Sequence, residues 1–84
     1  MEQHIGRVTH FYNRICVAVL DLSDELKVGD IIRIRGRSTD FSQEVRSLEI
    51  EHEKVQSVGP GAEVALELLQ RARRNDAVYK VIEE

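Results

Sequence analysis

The stretch Ile32-Arg33-Ile34-Arg35 alternates apolar and basic residues at a period of two, between a Gly29-Asp30 turn and Gly36. Successive side chains of an extended backbone point to opposite faces, so this pattern specifies a half-buried strand. The isoleucines then face a core. Arg33 and Arg35 share the outer face, and Arg37 continues their parity. Similar short runs recur. Ile5 to Phe11 forms a first strand, and Tyr12-Asn13 reads as a hairpin turn, because Asn tolerates the left-handed backbone that tight turns need. Ile15 to Leu20 is apolar on both faces, which calls for a central strand or a strand covered by a partner. Asp21 to Glu25 is polar and reads as a loop.

Glu44 to Val55 reads as a strand whose apolar face changes side. Val45 and Ser47 share one parity, whereas Leu48, Ile50 and His52 share the other. A bulge or sharp bend near Arg46-Ser47 accounts for the change. His52 then reads as a partly buried histidine able to titrate near neutral pH. Glu49, Glu51 and Glu53 form a solvated face or an ion-pairing partner for the arginines. Gly59-Pro60-Gly61 is a loop. Glu63 to Arg74 fits two structures: Ala65, Leu68, Leu69 and Ala72 recur at helical spacing, while Val64, Leu66 and Leu68 alternate as in a strand. Asn75-Asp76 is a turn, and Ala77 to Ile82 a closing strand. Six short strands in 84 residues imply an all-β fold, a small six-stranded closed antiparallel β-barrel occupying residues 1–84 as one domain.

Composition narrows the function. With 42% hydrophobic and 32% charged residues the chain suits a soluble, ordered domain. It has no apolar run long enough to cross a membrane, no apolar leader, and one cysteine, Cys16, which together imply a cytoplasmic protein without a membrane partner. A net charge of −3 argues against a globally basic nucleic-acid binder. There is no glycine-rich phosphate loop and no dinucleotide fingerprint, so neither a nucleoside triphosphate nor another cofactor is expected. His4, His10 and His52 lack the spacing of metal ligands. Cys16 beside His10 admits a nucleophile, but its Ile-Cys-Val-Ala-Val setting suits a small buried hydrophobe better. No catalytic constellation emerges, and the chain reads as a non-enzyme. Nine of its twelve basic residues are arginine, grouped at Arg33, Arg35 and Arg37 and again at Arg71, Arg73 and Arg74. Arginine forks hold phosphate and carboxylate bidentately.

The punctuation has an order: Gly6-Arg7-Val8, Leu26-Lys27-Val28-Gly29-Asp30, Val45-Arg46-Ser47-Leu48, Gly59-Pro60-Gly61 ahead of Val64-Ala65-Leu66, then Asn75-Asp76-Ala77-Val78. This series resembles the second-domain β-barrel of translational GTPases such as elongation factor Tu and initiation factor 2. It resembles most nearly the stand-alone translation elongation factor-like proteins. It is also similar to the barrel that ends the collagenase-like peptidases, a family that includes tRNA-hydroxylating enzymes. The resemblance implies a closed barrel of the translation-protein type. It implies a strand over Glu63 to Leu68, and a turn or irregular segment over Gln70 to Arg74. It also implies a non-catalytic module that contacts tRNA, rRNA or the ribosome. In that role Arg33, Arg35 and Arg37 would meet phosphates, joined by Arg7, Arg14 and Arg46, with Tyr12 or Phe11 offering a stacking surface. The alternative is a protein–protein docking module for a separately encoded enzyme, such as a collagenase-like or tRNA-modifying protein. The Ile15 to Leu20 run would supply its apolar centre.

Overall fold

A computed structural model describes residues 1–82. Its long first strand, β1 (Glu2–Tyr12), turns back through residues 13–16 into β2 (Val17–Leu22). A short β3 (Leu26–Lys27) precedes the alternating strand β4 (Ile31–Arg35), which pairs with β5 (Asp40–Glu44) as a hairpin. Then come β6 (Leu48–Ile50), β7 (Glu53–Val55), β8 (Ser57–Val58), β9 (Glu63–Glu67) and β10 (Ala77–Val81). Eight strands form one sheet in the order β5-β4-β10-β1-β2-β9-β6-β7, and β3 pairs with β8 separately. All these pairings are antiparallel.

The all-β expectation holds, and the described residues contain no helix. The closed six-stranded barrel is not what the pairing forms. The described residues make ten strands, and the main sheet is open, with β5 and β7 at its edges. A side chain spans the opening beside β5. The Gln43 Nε2 amide donates to the Glu67 carbonyl at 3.0 Å, and the Leu69 N–H donates to Gln43 Oε1 at 2.7 Å. One amide thus does between β5 and the end of β9 what a backbone ladder does in a closed barrel. Gln43 reaches the seam because it shares the buried parity of Phe41 and Val45.

Period two selects the core. Ile32 and Ile34 of β4, Ala18 and Leu20 of β2, and Val64 of β9 are fully buried, each large side chain contributing about 1.5–3 kcal/mol. β2 is interior, flanked by β1 and β9, as its two apolar faces require. Strand β9 follows the alternation of Val64 and Leu66 rather than the helical spacing; both are buried while Glu63 and Glu67 point out. Here burial in a sheet outweighs helix propensity, which is a few tenths of a kcal/mol per residue at about this composition.

The expected strand from Glu44 to Val55 is broken twice. At residues 45–47 the chain leaves the sheet. Val45 donates to the Asp30 carbonyl and accepts from Gly29 N–H, both at 2.8 Å, so Val45 and Leu48 are each fully buried despite opposite parity. This is the bend that the change of face required. The second break is a two-residue turn at Glu51 and His52, both with positive φ, between the paired Ile50 and Glu53. That turn places His52 in solvent rather than on the buried parity of Ile50. It also sets Lys54 opposite Glu49 and Glu53 opposite Ile50, so Glu49 and Glu53 lie on opposite faces and the expected face of three glutamates does not form. The β1–β2 turn also lies further along than Tyr12-Asn13: Tyr12 still pairs with Val17, and Cys16 takes the positive φ of 55°.

Candidate functional site

The strand register decides which candidate residues meet. Arg7 stands opposite Ala77, and Ala77 opposite Arg35, so Arg7 and Arg35 lie in one row across β1, β10 and β4. Two strand spacings, about 9–10 Å, separate their backbones. Arg7 Nη1 donates to Asn75 Oδ1 at 3.1 Å, an anchor made possible by the left-handed φ of 74° at Asn75. Arg35 and Arg37 are exposed.

Arg33 is engaged differently. Its Nε and Nη2 donate to the two Asp40 oxygens at 2.8 and 2.9 Å, and its Nη1 donates to Glu2 at 2.8 Å. These bonds favour the charged forms. They hold the Asp40 carboxyl below the usual carboxylate range, chiefly through the Arg33 hydrogen bond, and push the guanidinium up. Each nitrogen of this guanidinium donates to a carboxylate, so Arg33 is a cross-strand clamp in this structure.

The remaining candidates separate to opposite ends. Arg46 is exposed in the 45–47 break, next to the Gly29-Asp30 turn and at the Glu2 end of the sheet. Arg14 and Tyr12 lie at the β1–β2 hairpin end. Tyr12 is 48% exposed, and its ring stands 4.4 Å from that of His10 in a tilted pair. Cys16 is half-buried at the same end, with its Sγ 3.7 Å from the Gln70 carbonyl rather than beside a histidine. The seven proposed contact residues therefore do not form one patch.

The structure collects a different set at the hairpin end. The crossover between β9 and β10, residues 68–76, passes beside the upper part of β1. Between them is a concavity of about 420 Å³ lined by His10, Phe11, Asn13, Arg71, Arg73 and Arg74. The Arg71, Arg73 and Arg74 cluster was visible as a run of charge. Its approach to His10 and Asn13 depends on a register more than sixty residues apart, which no local pattern carries. Next to this concavity is an apolar pair. The β2–β9 ladder ends at Val17 and Glu67, and Leu68 N–H donates to the Cys16 carbonyl just beyond it; Ile15 in the turn and Leu69 after β9 follow at this same end. They are 63% and 60% exposed. No group of His, Cys, Asp or Glu among the described residues is arranged to hold a metal ion. No helix among them is long and apolar enough to cross a membrane.

The chain as a whole is similar to known proteins. An uncharacterised protease of Methanocaldococcus jannaschii is 40% identical over 76 residues, which is 89% of this chain. The chain is similar to one segment of that peptidase. It spans 19% of the archaeal protein's length. Among solved structures, the C-terminal domain of a Geobacillus thermoleovorans protein assigned to the U32 peptidases superposes with a TM-score of 0.89 at 14% identity. The match covers 95% of this chain and 93% of that domain. The selenomethionine form of the same domain gives 0.86 over 90% and 96%. At that identity the likeness establishes the fold. No family model matches the sequence. Of the two resemblances drawn from the sequence, the peptidase one is the one these comparisons favour: the archaeal relative is named as a protease, and the solved domain shares the fold.

Proposed function

We propose that this chain is a non-catalytic docking domain that packs against the catalytic part of a collagenase-like peptidase of the U32 kind. The observation that carries the reading is the archaeal match: nearly all of this chain corresponds to about a fifth of a protein named as a protease. The same architecture forms the C-terminal domain of a U32 peptidase. The apolar centre of the docking surface is the Ile15–Leu69 pair, continued by the half-buried outward residues Val17 and Val19 of β2. This places the contact at the hairpin end of the run from Ile15 to Leu20. Exposed apolar side chains within a charged surface match the core-and-rim anatomy of protein interfaces.

The test uses the archaeal relative with its matching segment deleted. Mixed with this chain, that polypeptide should co-elute as a defined complex on gel filtration, and Ile15→Asp with Leu69→Asp should prevent it. Independent elution at tens of micromolar, roughly the range of weak interdomain contacts, would refute the docking reading. Contact with tRNA, rRNA or the ribosome is a second reading. It is favoured by the exposed Arg35 and Arg37 and by the alignment of Arg35 with Arg7, not by Arg33.

A further inference from the structure

We propose that the concavity between β1 and the β9–β10 crossover is a binding site for a single-stranded nucleic acid. Arg71, Arg73 and Arg74 would hold its phosphates, and the His10–Tyr12 pair would stack on a base. The site differs from the outer face of β4, and it does not rest on the docking reading.

Three observations converge on it. The first is uncompensated charge. The ion pairs among the described residues are Lys27–Glu25, Arg33–Glu2 and Arg33–Asp40, so Arg71, Arg73 and Arg74 take no part in them. All three are exposed. The carboxylate nearest in sequence, Asp76, is buried and accepts the Arg73 backbone N–H at 2.8 Å, which fixes the turn and leaves the guanidinium free to face outward. Arg14, also exposed, adds a fourth cation in the turn beside Asn13. A chain with net charge −3 concentrates positive charge here.

The second observation is the aromatic surface. Tyr12 and His10 form a ring pair at 4.4 Å, with almost half of Tyr12 open to solvent. His10, the inner member of that pair, lines the concavity with Arg71, Arg73 and Arg74, so a base stacking on the pair would carry its phosphates toward those guanidinium groups. The third is the strand edge. β10 begins at Ala77, opposite Arg7, and Val8 is closed by backbone bonds to Asn75 and Asp76. Beyond Val8, β1 has no ladder partner on that side among the described residues, and the concavity opens there. An extended strand can therefore run along β1 with its backbone facing the arginines. An acidic peptide would satisfy the same charges. Its apolar side chains would find no pocket, because Phe11 packs against the core and Ala72 is buried.

The test is fluorescence anisotropy with labelled oligo-uridine and oligo-thymidine of about 12 nucleotides, with poly-glutamate of matching charge as competitor. Titrations run at about 50 and about 200 mM salt. The proposal expects micromolar binding at low salt. Arg71→Glu, Arg73→Glu and Arg74→Glu together should weaken it by about tenfold or more. They should also reduce the salt slope by about two, since each phosphate contact on a single strand contributes about 0.7. Tyr12→Ala should weaken binding several-fold and Tyr12→Phe restore it, which separates stacking from folding. Arg46→Glu, at the other end of the sheet, should change neither. Circular dichroism of each variant reports folding. The proposal fails if neither oligonucleotide binds at low salt, or if the triple variant binds as the parent does. It fails also if poly-glutamate competes at equal charge while Tyr12→Ala has no effect; the site would then be a general acidic-chain groove. Tighter uridine than thymidine binding would specify RNA within the class, and equal binding a preference for single strands of either kind.

Discussion

Arg33 shows how one residue can be placed correctly and still play another part. The alternation of Ile32-Arg33-Ile34-Arg35 fixes its face, and the structure agrees. Its partners are another matter. Asp40 lies seven residues on, and Glu2 thirty-one residues back, brought within 2.8 Å by β5 and by β1 lying across β10. Side-chain choice among acceptors is a tertiary property, so a stripe of arginines cannot reveal which members are already spent. The clamp has a pH signature. Asp40 has a folded pKa below its unfolded value, so its contribution is fully present above the ordinary aspartate range, about 3.9. It is lost as pH falls through the lower folded value. Urea midpoints measured from pH 5 down to pH 2, roughly spanning that window, should therefore fall more steeply for the parent than for Asp40→Asn. Above about pH 5 the two profiles should run parallel. Parallel profiles throughout would show that Arg33 contributes no net stability through this pair.

Elements differ in how openly the sequence announces them. β4 is legible because it is half-buried, and half-burial writes a period of two. β9 is ambiguous because Ala65, Leu66, Glu67 and Leu68 serve either structure locally, and only the flanking strands β2 and β6 decide. The β6–β7 turn is hidden for a different reason. Two-residue turns with both φ values positive favour Asn-Gly, whereas this one uses Glu51 and His52 at φ of 51° and 68°. A left-handed non-glycine residue costs roughly 1–2 kcal/mol. Replacing the pair by Asn-Gly should raise unfolding free energy by about 1–2 kcal/mol in urea titrations, with an unchanged m-value. A decrease would mean that Glu51 or His52 makes a compensating contact. Gln43 is a polar residue in a buried parity, with no local cue to its use. It satisfies Glu67 and Leu69 across the seam. Gln43→Leu keeps the apolar volume and orphans both backbone groups. The expected loss is about 2 kcal/mol or more. A neutral result would show that water satisfies the seam equally well.

On the scale of the molecule, the two ends of the described chain meet. Ile82 N–H donates to the Met1 carbonyl at 2.7 Å, the Met1 ammonium donates to the Ile82 carbonyl at 3.1 Å, and Glu2 pairs with Val81. Adjacent ends are the arrangement that tolerates circular permutation. The same geometry makes the topology testable. Joining the two ends through about four Gly/Ser residues and reopening the chain between the exposed Arg37 and Ser38 leaves every strand intact. It converts the β4–β5 hairpin into a long-range pairing. That costs loop-closure entropy of about 1–2 kcal/mol, because the penalty grows only with the logarithm of loop length. If the fold is held by the common core and by Gln43 at the seam, the permutant should unfold in one cooperative transition with a lower urea midpoint. Without a cooperative transition, the β4–β5 hairpin would have to be the element that organises the open sheet. The Gln43→Leu effect in the permutant separates the two cases. A larger penalty there than in the parent chain means that the seam carries more of the closure once the hairpin is cut. An equal penalty means that the core closes the sheet by itself.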